Sequence, residues 1–209
     1  MPKKVDHEAR RQEIAQALWR IASTRGLDGV SLRDVAAEAD ISLGRLQHYF
    51  RTKDEMLLFA LRHINSLAEQ RISERIGAVA ASLQREPSPR TMVRECLMGM
   101  LPLDDRSRVG TLVGAAYFAR AIHDERMRGE AQEGIPKLAE FLADVLRRAR
   151  DRGELAQGRD IEPYDEAMLL ISLVDGLTAY TLLGVHTEES VRRLLDAHLG
   201  AVFAGGGEK

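Results

Sequence analysis

Apolar positions recur at helical spacing through almost the whole chain. Residues 8–25 place Ile14, Leu18, Ile21 and Ala22 on one face with Trp19 beside them, and Gly26 and Gly29 end the pattern. Ser31 then caps a second helix with Asp34 three residues on, and Val35 and Ala36 give it an inner side. That helix closes near Asp40, and after the short break Ala39-Asp40-Ile41 a third helix, capped by Ser42, runs from Leu43 to Phe50. Thr52 followed by Glu55 is a capping box for a fourth helix, with Met56, Leu57, Phe59, Ala60 and Ile64 in its stripe, reaching to about residue 83. Ser88-Pro89 opens a fifth helix to about Met100, since proline is well suited to a first turn. Residues 105–122 and 125–152 give the sixth and seventh, the latter with an expected kink at Gly134 to Pro136. Glu162-Pro163 opens the eighth, and Thr187 caps a ninth ending near Phe203. There is no strand-like alternation and no internal repeat. The expectation is an all-α, nine-helix, two-domain architecture: a helix-turn-helix head over residues 1–53, a body over 54–204, and a disordered tail over 205–209.

Composition narrows the class. The 209 residues are 44% hydrophobic and 30% charged, as in a helix-rich globular protein. The longest apolar stretch, Ala167 to Gly184, is broken by Asp175, so no membrane span is expected. The beginning of the chain lacks the apolar core of a secretory signal, and the single cysteine, Cys96, excludes an internal disulfide. Both features place the chain in the reducing cytoplasm. A net charge of −2 argues against a nucleic-acid partner until its distribution is considered. Residues 1–53 hold ten Lys/Arg against seven Asp/Glu, whereas the remainder holds twenty against twenty-five. A basic head on an acidic body is the footprint of a protein that meets DNA at one end.

The third helix supplies the chemistry for that meeting. Leu46 and Phe50 face inward, while Ser42, Leu43, Arg45, Gln47, His48 and Tyr49 are left outside. Arg45 can donate twice to a guanine edge, Gln47 can pair with adenine, and Leu43 can touch a thymine methyl. Tyr49, Thr52 and Lys53 sit where a phosphate backbone would pass. The start of the second helix, with Ser31 and Arg33, offers amides and a positive helix end to phosphate. Lys3, Lys4, Arg10 and Arg11 add basic groups on an expected flexible arm. On pattern alone, an ordinary pair of packed helices with Arg45 as a solvated charge reads equally well.

The segment Gly29-Val30-Ser31-Leu32-Arg33-Asp34-Val35-Ala36, then Ile41-Ser42-Leu43-Gly44, then Tyr49-Phe50 and Lys53-Asp54 with Leu57, resembles the TetR family of bacterial transcriptional repressors. The resemblance covers residues 8–57; beyond them it extends only to helix number and length. It implies DNA binding, with Tyr49 and Lys53 on phosphates, the residues around Arg45 to His48 reading bases, and Gly44 within the contact surface. Where many members carry tyrosine, this chain has Gln47, which implies a different contact there.

In the body, the eighth helix is apolar nearly all round, from Met168 and Leu169 through Leu177 to Tyr180 and Leu183. Such a helix must be covered on more than one side. The ninth offers Val191, Leu194, Leu195, His198, Leu199 and Val202. Together they suit a four-helix interface in a homodimer, the alternative being a central core helix of a monomer. The resemblance also implies a dimer. Two recognition helices about 34–36 Å apart match successive major grooves of a near-palindromic double-stranded operator.

Candidates for a small-molecule effector cavity are Met92, Cys96, Met100, Leu112, Tyr117, Phe118, Phe141, Val145, Met168, Ser172 and Asp175, although for any one of them core packing is the simpler reading. Asp175 is either an effector contact or a structural partner of a group such as Arg120. The histidines are scattered, so no metal and no cofactor are expected, and Cys96 has no second cysteine to resolve a disulfide. The expected function is a repressor released by an effector. The competing enzyme reading, an all-helical hydrolase or isomerase using Asp175 or His123, has no nucleophile or phosphate-loop motif behind it.

Overall fold

The helix starts are set by short polar side chains. In the computed structural model, the hydroxyls of Ser31, Ser42, Thr52, Ser88 and Thr187 each accept a backbone N–H three residues on. Asp104 and Asp124 do the same for the sixth and seventh helices. Each satisfies a donor that the helix itself leaves unpaired. The structure describes residues 2–156, 158 and 162–204, with side chains from His7 onward. Among them are nine helices: α1 (Pro2–Arg25), α2 (Leu32–Glu38), α3 (Leu43–Tyr49), α4 (Lys53–Leu83), α5 (Pro89–Met100), α6 (Asp105–Ala121), α7 (Glu125–Asp151), α8 (Pro163–Leu182) and α9 (Glu188–Val202). The expected tail 205–209 lies outside the described residues. Among the described residues no strand is present, apart from one isolated bridge between Leu155 and Phe203. No helix of the described residues is long and apolar enough to cross a membrane.

One expectation changes. α1 begins at Pro2 rather than residue 8, so residues 2–7 continue the helix instead of forming a free arm. Proline is tolerated at that first position because its missing N–H would be unpaired anyway. α7 continues as helix on both sides of Pro136, which lacks the N–H for one backbone bond in a helix of 27 residues.

The chain divides into two compact units, residues 1–69 with 108–129, and residues 70–107 with 130–209. The first therefore reaches beyond the 53/54 boundary expected from sequence. Its core joins Ile14, Leu18, Val35, Leu46, Phe50, Met56 and Leu57 to Val113, Tyr117 and Met127 of α6 and α7. The Tyr117 hydroxyl, buried among them, donates to the Leu57 carbonyl at 2.8 Å. Such a bond repays the cost of burying a phenol.

The second unit packs Cys96 and Leu97 of α5, Leu142 and Leu146 of α7, Leu170 and Val174 of α8, and Leu195 and Leu199 of α9. Its polar ties are concentrated on α5. Arg94 grips Asp196 of α9 with two hydrogen bonds of 2.6 and 3.1 Å, and Glu95 accepts from both Arg94 (2.8 Å) and Arg75 of α4 (2.6 Å). Gly99 permits the approach of α4 to α5: a Cβ there would lie 2.7 Å from the Ile72 side chain.

Candidate nucleic-acid interface and effector region

The turn between α2 and α3 is built by one left-handed residue. Asp40 has φ 53, Ile41 donates to the Ala36 carbonyl at 3.0 Å, and Asp40 to that of Ala37 at 3.2 Å. This paired closure ends α2 within one residue and sends the chain directly to the Ser42 cap. Asp and Asn adopt this conformation more readily than other non-glycine residues. Val35 and Leu46 are fully buried, and Leu18 and Ile21 of α1 lie in the same core with Ile41 against it. Burial of Leu46 fixes the rotation of α3. Gly44, Arg45, Gln47 and His48 are consequently exposed beside Ser42, with Leu43 and Tyr49 half-buried. The Arg45 and Gln47 side chains have no hydrogen-bond or ion-pair partner among the described residues, which leaves their donors available.

The flanking residues divide by how far they are already committed. Ser31 is bound into a full capping box: its hydroxyl accepts from the Asp34 N–H and donates to the Asp34 carboxylate at 2.6 Å. That hydroxyl, before any other cause, holds the Asp34 carboxyl below its ordinary value. What remains for a phosphate there is the exposed Arg33 and the positive helix end. The Thr52 hydroxyl caps the Glu55 N–H at 3.1 Å, but the Glu55 carboxylate accepts from Arg51 N–H at 3.0 Å rather than from Thr52, so the expected box is shifted by one residue. Lys53 begins α4 with its ammonium unpaired among the described residues. Arg10 pairs with Glu13. Arg11 lies over the rings of Phe50 and Phe59, at 4.5 and 4.4 Å, and reaches Glu55 at 3.3 Å. It is thus a packing element of the head rather than an arm residue. The side chains of Lys3 and Lys4 lie outside the described ones.

The effector candidates are distributed over both units. Leu112, Tyr117 and Phe118 belong to the first unit, and the others to the second. Tyr117 lies in the core of the first unit, where its hydroxyl donates to the Leu57 carbonyl. Phe118 is 59% exposed. In the second unit, Cys96 is wholly buried and its thiol is pushed up to about 12 by desolvation, which suits packing and not redox reactivity. Met92, Met100 and Met168 pack against the same core as Val145, while Phe141 is partly exposed. The Ser172 hydroxyl donates to the Met168 carbonyl of its own helix. Asp175 is exposed on α8, with no hydrogen-bond or ion-pair partner among the described residues, yet crowding by its surroundings raises its carboxyl above the ordinary value. Arg120 pairs instead with Asp54 and Asp124. A cleft that sequence reasoning missed lies in the first unit, lined by Gly26, Leu27, Asp28, Ala116, Ala119, Arg120, His123 and Asp124. No group of metal-ligating side chains occurs among the described residues.

Comparison with known proteins identifies the family. The model of the bacterial regulatory proteins of the tetR family matches residues 14–61, and that of the BetI-type transcriptional repressor C-terminal region matches residues 89–204. The HTH-type transcriptional regulator PksA of Bacillus subtilis is 33% identical over 210 residues, covering 97% of this chain and 94% of the relative. A transcriptional regulator from Rhodococcus sp. Rha1 superposes with TM-score 0.79 at 28% identity, over 94% of this chain and 99% of that one. A regulator from Saccharomonospora viridis solved in complex with choline shares the fold, with TM-score 0.81 at 22% identity, over 95% and 100% of the two chains. With more than half the chain inside the two family models, and α3 exposing its polar face, the protein belongs to the TetR family of bacterial transcriptional regulators.

Proposed function

We propose that this chain is a cytoplasmic homodimeric repressor that binds a near-palindromic operator and is released by a small-molecule effector. The observation that carries the DNA role is the α3 surface, where burial of Leu46 turns Arg45, Gln47 and His48 outward with their donors unspent. Arg45 and Gln47 read bases, Leu43 meets a thymine methyl, and Gly44 lets the backbone approach closely. Ser42, Tyr49, Thr52 and Lys53 hold the phosphate strand, with the α2 start and Arg33 on the other side.

The dimer reading rests on α8 and α9. Leu169, Ser172, Gly176 and Ala179 follow at three- or four-residue spacing along α8, with Tyr180 beside them and Leu183, 74% exposed, at the C-cap. Ser190, Leu194, Ala197 and Ala201 form the matching stripe on α9. Small residues between large ones allow two helix pairs to approach and interdigitate. An isologous contact through this face makes the operator two-fold, with half-sites one helical turn apart.

Release follows from which helices belong to both units. α4 contributes Lys53–Glu69 to the first unit and Gln70–Leu83 to the second, and α6 passes from one to the other after Ser107. An effector that binds one arrangement of the second unit better than the other shifts the population of heads held at operator spacing. Moving a two-state equilibrium from 1:99 to 99:1 takes about 5.5 kcal/mol of differential binding. Met92, Met100, Phe141, Met168, Ser172 and Asp175 are the second-unit side chains we assign to that effector region.

Footprinting of the purified protein on the DNA flanking its own gene, with sedimentation in parallel, tests this reading. The expected result is a two-fold symmetric footprint, steep salt dependence and a dimer mass. Binding that is indifferent to sequence, or absent even at low salt, overturns it.

A further inference from the structure

α1 was expected to help grip DNA through its arginines, but Arg10 and Arg11 are engaged with Glu13 and Glu55. One turn earlier on the same helix, His7 is exposed and its ring nitrogens have no hydrogen-bond or ion-pair partner among the described residues. The His7 ring lies tilted against Tyr49, with centroids 4.8 Å apart, and edge-on to His48 at 6.1 Å. His48 and Tyr49 are themselves in edge contact at 5.4 Å. Three rings from two helices thus form one cluster at the C-terminal end of α3. Each carries an N–H or O–H that protein contacts leave unspent, and each has an apolar face already used by its neighbours.

We propose that His7 is a DNA-binding residue: it extends the contact surface of α3 onto α1 and, with Tyr49, grips a backbone phosphate. This rests on the repressor reading above. Ring packing is what makes the contact effective. Tyr49 and His48 hold His7 in place before DNA arrives, so a long flexible side chain need not be ordered on binding. A donor on a second helix also fixes the angle at which α3 enters the groove, a constraint that phosphate contacts supply without reading sequence.

The test uses full-length protein and operator duplexes, including a series in which single backbone phosphates are replaced by neutral methylphosphonates. His7→Ala is expected to weaken binding roughly tenfold, the order of one hydrogen bond to a charged acceptor. His7→Phe, which keeps a ring against Tyr49 but has no donor, should bind as weakly as His7→Ala. His7→Gln, which keeps a donor, should recover part of the loss. In the methylphosphonate series, one phosphate that matters to the wild type should cease to matter to His7→Ala, the coupling that a double-mutant cycle isolates. Wild-type affinity in His7→Phe, or an unchanged phosphate profile in His7→Ala, would show that His7 only packs against Tyr49 and would overturn the proposal. Failure of the wild type itself to bind any duplex would instead sink the repressor reading. Thermal melts of each variant separate these outcomes from misfolding, which the exposed position of His7 makes no part of the expected result.

Discussion

α3 and α8 each leave one face uncovered, and the two faces are opposite in chemistry. On α3 the free face carries Arg45, Gln47 and His48, all long or ring side chains with donors at the tip. On α8 it carries Leu169 and Tyr180 with Ser172, Gly176 and Ala179, and Leu183 at the C-cap. A helix that must meet a hydrated polyanion keeps its polar groups unpaired until the partner supplies acceptors. A helix that meets a copy of itself keeps apolar area exposed, to be removed from water on assembly. An uncovered face therefore names its partner by which groups it leaves unsatisfied.

The largest effect is expected where the apolar face is broken. Leu183→Asp places a charge where the proposed partner helix would bury it, and should convert dimer to monomer in sedimentation with loss of operator binding. A variant that stays dimeric would remove α8 from the interface. The polar face is tested by Arg45→Ala, which should cost roughly 1–3 kcal/mol of operator affinity and relax one base position in a selection experiment. An unchanged preference would return Arg45 to the status of a solvated charge.

Smaller effects probe what holds the α3 face in place. Tyr117→Phe removes the donor to the Leu57 carbonyl in the head core and should lower unfolding stability in denaturant by about 1–2 kcal/mol, with α3 contacts intact. Ser31→Ala takes away the hydroxyl of the capping box and should cost about 1 kcal/mol. The same variant has a pH signature. Asp34 has a lowered folded-state value, so its contribution is present above the ordinary carboxylate value and is lost as pH falls through the lower folded one. Acid titrations of stability should show this loss in the wild type and flatten in Ser31→Ala.

Much of this was legible from local rules. Ser31, Ser42, Ser88 and Thr187 were readable as caps because a cap depends on residues only three positions apart. The α3 face followed from helical period once Leu46 was recognised as its inner residue. The effector region was not readable in the same way. Cys96, Tyr117 and Phe141 look alike in sequence, yet one is sealed in the second core, one is bonded to Leu57 in the head, and one is partly open. Burial of that kind depends on what distant segments bring. Nothing near Arg11 in sequence announces that its guanidinium will lie over the rings of Phe50 and Phe59.

The sequence by itself determined nine helices, their capped starts, the tight α2–α3 turn and the outward residues of α3, though not the start of α1. These are consequences of capping, period and backbone preference over a few residues. Only the tertiary structure decided that α6 belongs to the head through Val113 and Tyr117, that Arg10 and Arg11 of α1 meet acidic partners, and that His7 stands beside Tyr49. Those outcomes turn on contacts between segments far apart in the chain, whose pairing no local pattern encodes.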